Sequence, residues 1–147
     1  MPTIRTLIID DHLTVRNALR VLLERASIEV VGDASNLEDG LHQAHLLQPD
    51  IIILDSVLPQ TDGLTALTTL TNAIPQTHVI YLGTEADARY IDAALRAGAS
   101  SHVPKEEADT ELIPAVRALA KVDPPVRRHR LGDGLTKRTL TTNGARG

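Results

Sequence analysis

The amino-acid sequence predicts a doubly wound α/β fold, in which a five-stranded parallel sheet carries helices on both faces. Short aliphatic runs alternate five times with segments of helical periodicity over the first 122 of the 147 residues. The runs are nearly continuous Ile, Val and Leu, which is typical of strands buried on both faces of a parallel sheet. Right-handed crossovers then favour the flavodoxin-like strand order 2-1-3-4-5, whose ligand-binding switch point lies between strands 1 and 3.

The first half of the chain supplies three strands and three helices. The predicted strands of the whole sheet are Ile4–Ile9, Ile28–Gly32, Ile51–Leu54, His78–Leu82 and Ser101–Val103. The first predicted helix has an apolar face made of Val15, Ala18, Leu19 and Leu22. Ser35 and Glu38 form a capping-box pattern that opens the second helix. The third helix is marked by Leu64, Leu67 and Leu70, although its four threonines lower its intrinsic propensity.

Two further helices are predicted in the second half of the chain. The fourth has a stripe of small and aromatic residues, Ala86, Tyr90, Ala93, Ala94 and Ala97. Gly98 is expected to end it, because glycine adopts the left-handed conformation that follows many helices. Asp109 or Thr110 is predicted to cap the fifth helix, and Pro114 falls near its first turn, where proline is tolerated. Its apolar face consists of Ile113, Val116, Leu119 and Ala120.

The composition excludes several kinds of site and shows that the two parts of the chain differ in charge. There are no cysteines, so disulfides, thiolate zinc sites and cysteine nucleophiles are excluded. From Asp123 onward six basic and two acidic residues give +4; since the whole chain has −4, residues 1–122 carry −8. An acidic body predicts no nucleic-acid binding of its own, and the basic tail is typical of a linker or disordered segment. No apolar run is long enough for a signal peptide or a membrane span, which predicts a cytoplasmic protein without a membrane partner.

Charged side chains follow the strands of the predicted sheet. Asp10 and Asp11 end the first strand, Asp55 ends the third, and Lys105 ends the fifth. Because the carboxyl ends of parallel strands share one edge, these groups are expected to converge there. Adjacent carboxylates repel each other unless a cation lies between them, and Mg²⁺ prefers such oxygen ligands. The sequence therefore predicts a magnesium site with a lysine opposite.

Three stretches, "LIIDDH", "DIIILDSVLPQTDGL" and "LRAGASSHVPK", resemble the receiver domain of two-component response regulators. The "DDH" and "LRAGA" segments resemble in particular the receivers of LuxR- or NarL-type regulators. The resemblance implies that Asp55 accepts a phosphoryl group and that Lys105 contacts it. It also implies a Mg²⁺ or Mn²⁺ ion held by Asp10, Asp11, Asp55 and Val57. The residues implied to contact the phosphoryl group are Ser56, Gly83 and Thr84.

The same resemblance implies partners and an organisation of the chain. A sensor histidine kinase would be the phosphodonor, the receiver would form a homodimer, and DNA would be contacted only through an output domain. Residues 1–122 would form the receiver, and residues 123–147 a tail or the start of a linker; "GLTKR" (Gly134–Arg138) faintly resembles the opening of a LuxR-type DNA-binding domain. The domain would catalyse only its own phosphorylation and dephosphorylation, so it is not expected to be an enzyme in the usual sense.

Two positions depart from the receiver pattern, and they leave an alternative open. Gly83 stands where the family has Ser or Thr, and His102 stands where it has Tyr or Phe. With Thr84, these residues are implied to form the output switch. The alternative is a pseudo-receiver, an interaction module in which phosphorylation is poorly coupled to output. A haloacid-dehalogenase-type phosphatase is disfavoured because His12 replaces the second Asp of its Asp-x-Asp motif, and no aromatic platform supports a flavin module.

Overall fold

Five parallel strands form a single sheet in the computed structural model, which describes residues 3–84, 88–123 and 125. The strands are β1 (Arg5–Ile9), β2 (Glu29–Ala34), β3 (Ile51–Asp55), β4 (His78–Gly83) and β5 (Ser101–Pro104). The helices are α1 (Leu13–Arg25), α2 (Leu37–Leu47), α3 (Gly63–Ala73), α4 (Ala88–Arg96) and α5 (Ala108–Ala120). The strand order is β2-β1-β3-β4-β5, so the predicted fold class and topology are confirmed.

The sheet separates two apolar cores, as expected for strands whose two faces are both buried. On one face α1 and α5 contribute Leu19, Leu23, Leu112 and Val116. On the other face α2, α3 and α4 contribute Ala44, Leu67, Leu70 and Ala94. All five residues of β3 are buried, which accounts for the unbroken aliphatic run in its sequence.

Strand register brings the ends of β1, β3, β4 and β5 to one edge of the sheet. Ile9 pairs with Leu54, Asp55 pairs with Leu82, and Gly83 pairs with Pro104. A short antiparallel ribbon of Val57–Leu58 with Thr61–Asp62 follows β3 and leads into α3. The residues next to these strand ends are therefore neighbours in space although they are far apart in the chain.

The capping predictions for two helices were wrong. The side chain of Asn36, and not Ser35, caps α2 by accepting a hydrogen bond from Asp39 N at 2.8 Å. The chain enters α5 through a 3₁₀ turn over Lys105–Glu107, so the helix begins at Ala108 and no side chain caps it. The turn already satisfies the first backbone groups of the helix, which leaves nothing for Asp109 or Thr110 to cap.

Two predicted core faces also need correction. In α1 the buried positions are Leu19 and Leu23, whereas Ala18 is exposed. In α5 they are Leu112 and Val116, whereas Ala120 is exposed. Val15, Leu22, Ile113 and Leu119 are partly buried and pack against the same core, so the predicted faces are correct except at these two alanines.

Pro114 also departs from its prediction: it lies inside α5, beyond the first turn, because the helix already begins at Ala108, so the carbonyl of Thr110 has no backbone N–H donor four residues later. The other helix predictions agree with the structure where it describes them. Threonines of α3 bond within the helix, for example Thr69 Oγ1 to Thr65 O at 2.8 Å, and Asp62 caps the helix by accepting from Thr65 N at 2.8 Å. Gly98 follows α4 with a φ of +113°, as predicted for the residue that ends it. Ala86 and the segment Gly134–Arg138 lie outside the described residues. Among the described helices, none has the length and apolarity required to span a membrane.

Candidate functional site

The end of β1 places Asp10 in the interior of the carboxyl edge. Its backbone N–H donates to Ala34 O of the neighbouring strand at 3.0 Å, which holds the residue in the sheet. Its side chain is only 1% exposed, and Oδ1 accepts a hydrogen bond from His12 N at 2.8 Å. Asp11, the next residue, is partly buried. One carboxylate is thus fixed by backbone contacts, and the second lies at the border with solvent.

Asp55 and Lys105 meet at the same edge. Asp55 is the last residue of β3 and is 1% exposed, and Lys105 follows β5 directly. Lys105 Nζ lies 2.8 Å from Asp55 Oδ1 and 3.9 Å from Asp10 Oδ2. The ammonium group therefore partly neutralises two buried carboxylates that belong to different strands.

The carboxylates fit a divalent cation. One ligand atom from each of Asp10, Asp11, His12 and Asp55 can be chosen such that all four lie within 4.8 Å of one another. Asp10 Oδ2 and Asp55 Oδ2 are buried and accept no hydrogen bond from the described part of the chain. Buried carboxylate oxygens without donors are costly, and Mg²⁺ would satisfy them as oxygen ligands. The predicted acidic residues are thus brought together in an arrangement that suits the ion.

His12 adjoins this cluster, although the sequence predicts it only as the exposed start of α1. It is the N-cap residue of α1, and its side chain is 60% exposed. Its Nδ1 lies 3.0 Å from Asp11 Oδ1 and 3.5 Å from Asp10 Oδ1. The position at the helix start is confirmed, and the ring lies close to both carboxylates. His42 and His45 of α2 are exposed, as expected for surface histidines.

Burial raises the pKa of the Asp55 carboxyl above its usual value of 3.8. The hydrogen bond from Lys105 opposes this rise, and the negative charge of Asp10 adds to it. Since the ionised form is disfavoured by both burial and a like charge, the site gains from any further positive charge placed beside Asp55. This electrostatic imbalance is what a divalent cation would relieve.

The predicted switch residues lie beside β4. Gly83 is buried, and a Cβ atom built on it would lie 3.0 Å from His102 Nε2 and 3.7 Å from Ser56 Cβ. Ser56 is 7% exposed and its N–H donates to Leu82 O at 2.9 Å, whereas Thr84 is exposed at the surface. Ser56, Gly83 and His102 therefore form one small cluster, whereas Thr84 is not part of the buried interior.

Val57 is the remaining predicted metal ligand. It begins the short ribbon after β3, and its side chain is 56% exposed. Because that side chain is apolar, only its backbone carbonyl can serve as a ligand.

Tyr81 is a residue of this region that was not selected from the sequence. It is fully buried in β4, and its hydroxyl lies 2.7 Å from that of Tyr90 in α4. Its ring centroid is 6.3 Å from that of His102. As there is no Phe or Trp in the chain, these two tyrosines are its only aromatic residues apart from histidines, and that scarcity is the signal that would have indicated them.

The partly buried ring of His102 gives an expected pH dependence of stability. Burial lowers the pKa of His102 from 6.5. As the pH falls below about 6.5, the unfolded chain takes up a proton on His102 before the folded chain does. The folded state therefore loses stability as the pH falls from about 6.5 towards the lowered pKa of His102. We expect the Tm of the wild type to fall more than that of His102→Phe between about pH 7.5 and about pH 5. Equal slopes in thermal melts of the two proteins would contradict this expectation.

Known proteins resemble the chain both in sequence and in structure. The family model of the response regulator receiver domain matches residues 6–117. A putative transcriptional regulator of Pseudomonas aeruginosa is 36% identical over 115 residues, which cover 78% of this chain and 56% of that protein. Transcriptional regulatory protein LiaR of Bacillus subtilis is 33% identical over 135 residues, covering 91% and 64% respectively. The chain thus spans between 56% and 64% of the length of these two relatives.

A solved structure agrees with the sequence comparison. The crystal structure of a two-component response regulator of the LuxR family from Aurantimonas superposes with a TM-score of 0.76 at 28% identity. The superposition covers 83% of this chain and 89% of that chain. The similarity to receiver domains therefore holds for the fold as well as for the sequence.

Proposed function

This chain belongs to the response regulator receiver domain family, and we propose that it accepts a phosphoryl group on Asp55 from a sensor histidine kinase in a Mg²⁺-dependent reaction. The observation that carries the proposal is the position of Asp55. It is buried at the carboxyl edge of the sheet, 2.8 Å from Lys105 Nζ and beside a second buried carboxylate. Such an arrangement has an excess of negative charge, which a metal ion would neutralise. The ion would also bind oxygens of the phosphoryl group.

The proposed reaction is the transfer of a phosphoryl group from a phosphohistidine to a carboxylate. An oxygen of Asp55 attacks the phosphorus, the phosphorus–nitrogen bond breaks, and an acyl phosphate forms. The leaving imidazole nitrogen takes up a proton. Lys105 balances negative charge on the transferred group, and Asp10 and Asp11 would hold the cation. When bound, Mg²⁺ supplies charge neutralisation for the phosphoryl oxygens. The domain modifies only itself, so it is not proposed to be an enzyme of other substrates.

The test is to incubate the protein with Mg²⁺ and acetyl phosphate, and to locate any added phosphate by mass spectrometry. One phosphate on Asp55, absent when EDTA replaces Mg²⁺, is the expected result. Labelling at another residue, or labelling that persists in EDTA, would contradict the proposal. A small phosphodonor is preferred to a kinase because it tests the chemistry of this chain without requiring that the partner kinase be identified.

Replacing Asp11 with Ala is expected to weaken Mg²⁺ binding without unfolding the domain. Asp11 is partly exposed, so little packing is lost, and removing one of three clustered carboxylates relieves repulsion in metal-free buffer. The Kd for Mg²⁺ should rise by at least about 10-fold, since losing even a partner outside the direct ligands typically weakens metal binding by about 10- to 100-fold. The Tm in EDTA should be equal or higher. Asp39→Ala, an exposed carboxylate in α2, is the control, and a clear loss of metal-free stability in Asp11→Ala alone would assign Asp11 a structural role.

We further propose that phosphorylation regulates transcription. The curated relatives are transcriptional regulators, and DNA contact would require an output domain in addition to residues 1–122. Family membership also supports a cytoplasmic protein that forms a homodimer.

The pseudo-receiver alternative is not favoured, since the acidic cluster and Lys105 are both in place. Dimerisation measured by analytical ultracentrifugation, with and without phosphorylation, would distinguish the two.

A further inference from the structure

One nitrogen near the proposed phosphorylation site has no hydrogen-bond partner among the residues that the structure describes. His102 Nε2 is buried, and it makes no hydrogen bond with the residues that the structure describes. A buried polar atom of this kind costs free energy unless something else satisfies it. Its surroundings are therefore informative about what it could bind.

The strand register explains where the ring lies. His102 in β5 pairs with Tyr81 in β4, and side chains of paired residues in parallel strands project from the same face. Gly83 is two residues beyond Tyr81, so its missing side chain would project from that face as well. A Cβ atom on Gly83 would lie only 3.0 Å from His102 Nε2. The imidazole thus occupies the space beside Gly83 that a larger residue there would need.

The same point lies next to the end of β3. Ser56 Cβ is 3.7 Å from the position of a Gly83 Cβ, and Ser56 directly follows Asp55. Asp55 itself pairs with Leu82, the neighbour of Gly83. His102 Nε2 therefore lies near the end of β4, which pairs with β3 at Asp55, and near Ser56, the residue that follows Asp55. Burial lowers the pKa of this ring and so favours its neutral form, which carries one N–H; in the tautomer protonated at Nε2 this nitrogen is a hydrogen-bond donor.

We propose that His102 Nε2–H donates a hydrogen bond to an oxygen of the phosphoryl group on Asp55, in place of the hydroxyl that Gly83 lacks. This inference rests on the proposed phosphorylation of Asp55. It makes Gly83 and His102 a complementary pair, because a Cβ atom at position 83 would press against the ring, which would then have to move away from this position. Hydrogen bonds to charged groups are the stronger class in proteins, and losing one corresponds to about a 10- to 100-fold loss of affinity.

The test uses beryllofluoride with Mg²⁺ as a phosphoryl mimic on the full chain. Its affinity is measured by calorimetry for the wild type, His102→Phe, which keeps a planar ring but has no N–H, and His102→Gln, which keeps an N–H donor. His42→Phe in α2 is the matched control, because it makes the same change at an exposed histidine. The ¹⁵N chemical shift of His102 Nε2, in histidine-labelled wild type with and without the mimic, reports the bond directly.

The expected result is about 10- to 100-fold weaker mimic binding by His102→Phe, partial recovery in His102→Gln, and no change in His42→Phe. The Nε2 resonance of the wild type should shift when the mimic binds. If the wild type binds the mimic but His102→Phe binds it equally well and Nε2 does not shift, the inference fails and the proposed function stands. If the wild type neither binds the mimic nor becomes phosphorylated, the proposed function fails and the inference with it. Thermal melts of each variant show whether it is folded.

Discussion

Asp55→Asn is expected to abolish phosphorylation by acetyl phosphate in the presence of Mg²⁺. The amide nitrogen that replaces one carboxylate oxygen is not nucleophilic, and the amide oxygen is a poor nucleophile. No acyl phosphate can therefore form. The substitution keeps the shape of the side chain, which is fully surrounded at the end of β3, so the sheet should remain intact. The measurement is the mass of the intact protein after incubation, with the modified residue located by peptide mapping.

The control is Asp92→Asn, an exposed aspartate in α4 whose partner is Arg96. It should accept phosphate on Asp55 as the wild type does, because surface ion pairs contribute little to stability and Asp92 is not among the clustered carboxylates. Full labelling of Asp55→Asn would show that the phosphoryl group goes elsewhere, and Asp10 or Asp11 would then be examined first. Equal loss of labelling in both variants would indicate a nonspecific effect of removing negative charge.

Gly63→Ala is expected to destabilise the domain by about 2–3 kcal/mol, the effect of overpacking a tightly filled site. Gly63 is the first residue of α3 and is buried, and a Cβ atom there would overlap both the Tyr81 hydroxyl and the Ser56 carbonyl oxygen. The Tyr81 side chain is fully buried and the Ser56 carbonyl is backbone, so neither can move cheaply. The start of α3 would have to shift. Urea unfolding monitored by circular dichroism measures the loss.

Because Ser56 directly follows Asp55, the same displacement should reach the proposed phosphorylation site and weaken Mg²⁺ binding. Thr68→Ala is the matched control: it adds no atoms, lies on the exposed side of the same helix, and replaces threonine with the best helix former. Its unfolding free energy should equal or exceed that of the wild type. If Gly63→Ala were as stable as Thr68→Ala, α3 would be less tightly packed against β3 and β4 than the structure indicates.

Much of the fold could be predicted because it depends on properties that the sequence carries locally. The aliphatic run of β3 is unbroken because the strand is buried on both faces, so the sequence pattern directly predicts the burial. The alternation of such runs with segments of helical periodicity is compatible with few topologies. The helix ends were predicted less well. Asn36 and Ser35 are both good capping residues, and which of them caps α2 depends on where β2 ends and the helix begins.

The site was predictable to the same extent. Asp10, Asp55 and Lys105 each follow an aliphatic run, and parallel strands necessarily present their ends at one edge, so the convergence of the three side chains follows from topology alone. Distances do not follow from topology. Neither the 2.8 Å contact between Lys105 and Asp55 nor the position of His12 beside the carboxylates could be deduced without coordinates.

By itself, then, the sequence determined the fold class, the strand order and the identity of the acidic and basic residues at the sheet edge. The relation between Gly83 and His102 was decided only by the tertiary structure. In the sequence they are two separate departures from the receiver pattern, 19 positions apart, whereas in the fold a Cβ atom on one would lie 3.0 Å from the ring nitrogen of the other. The physical reason is that periodicity and strand ends are local properties of a chain, but the space left by a missing side chain is defined by neighbours that packing brings from other strands.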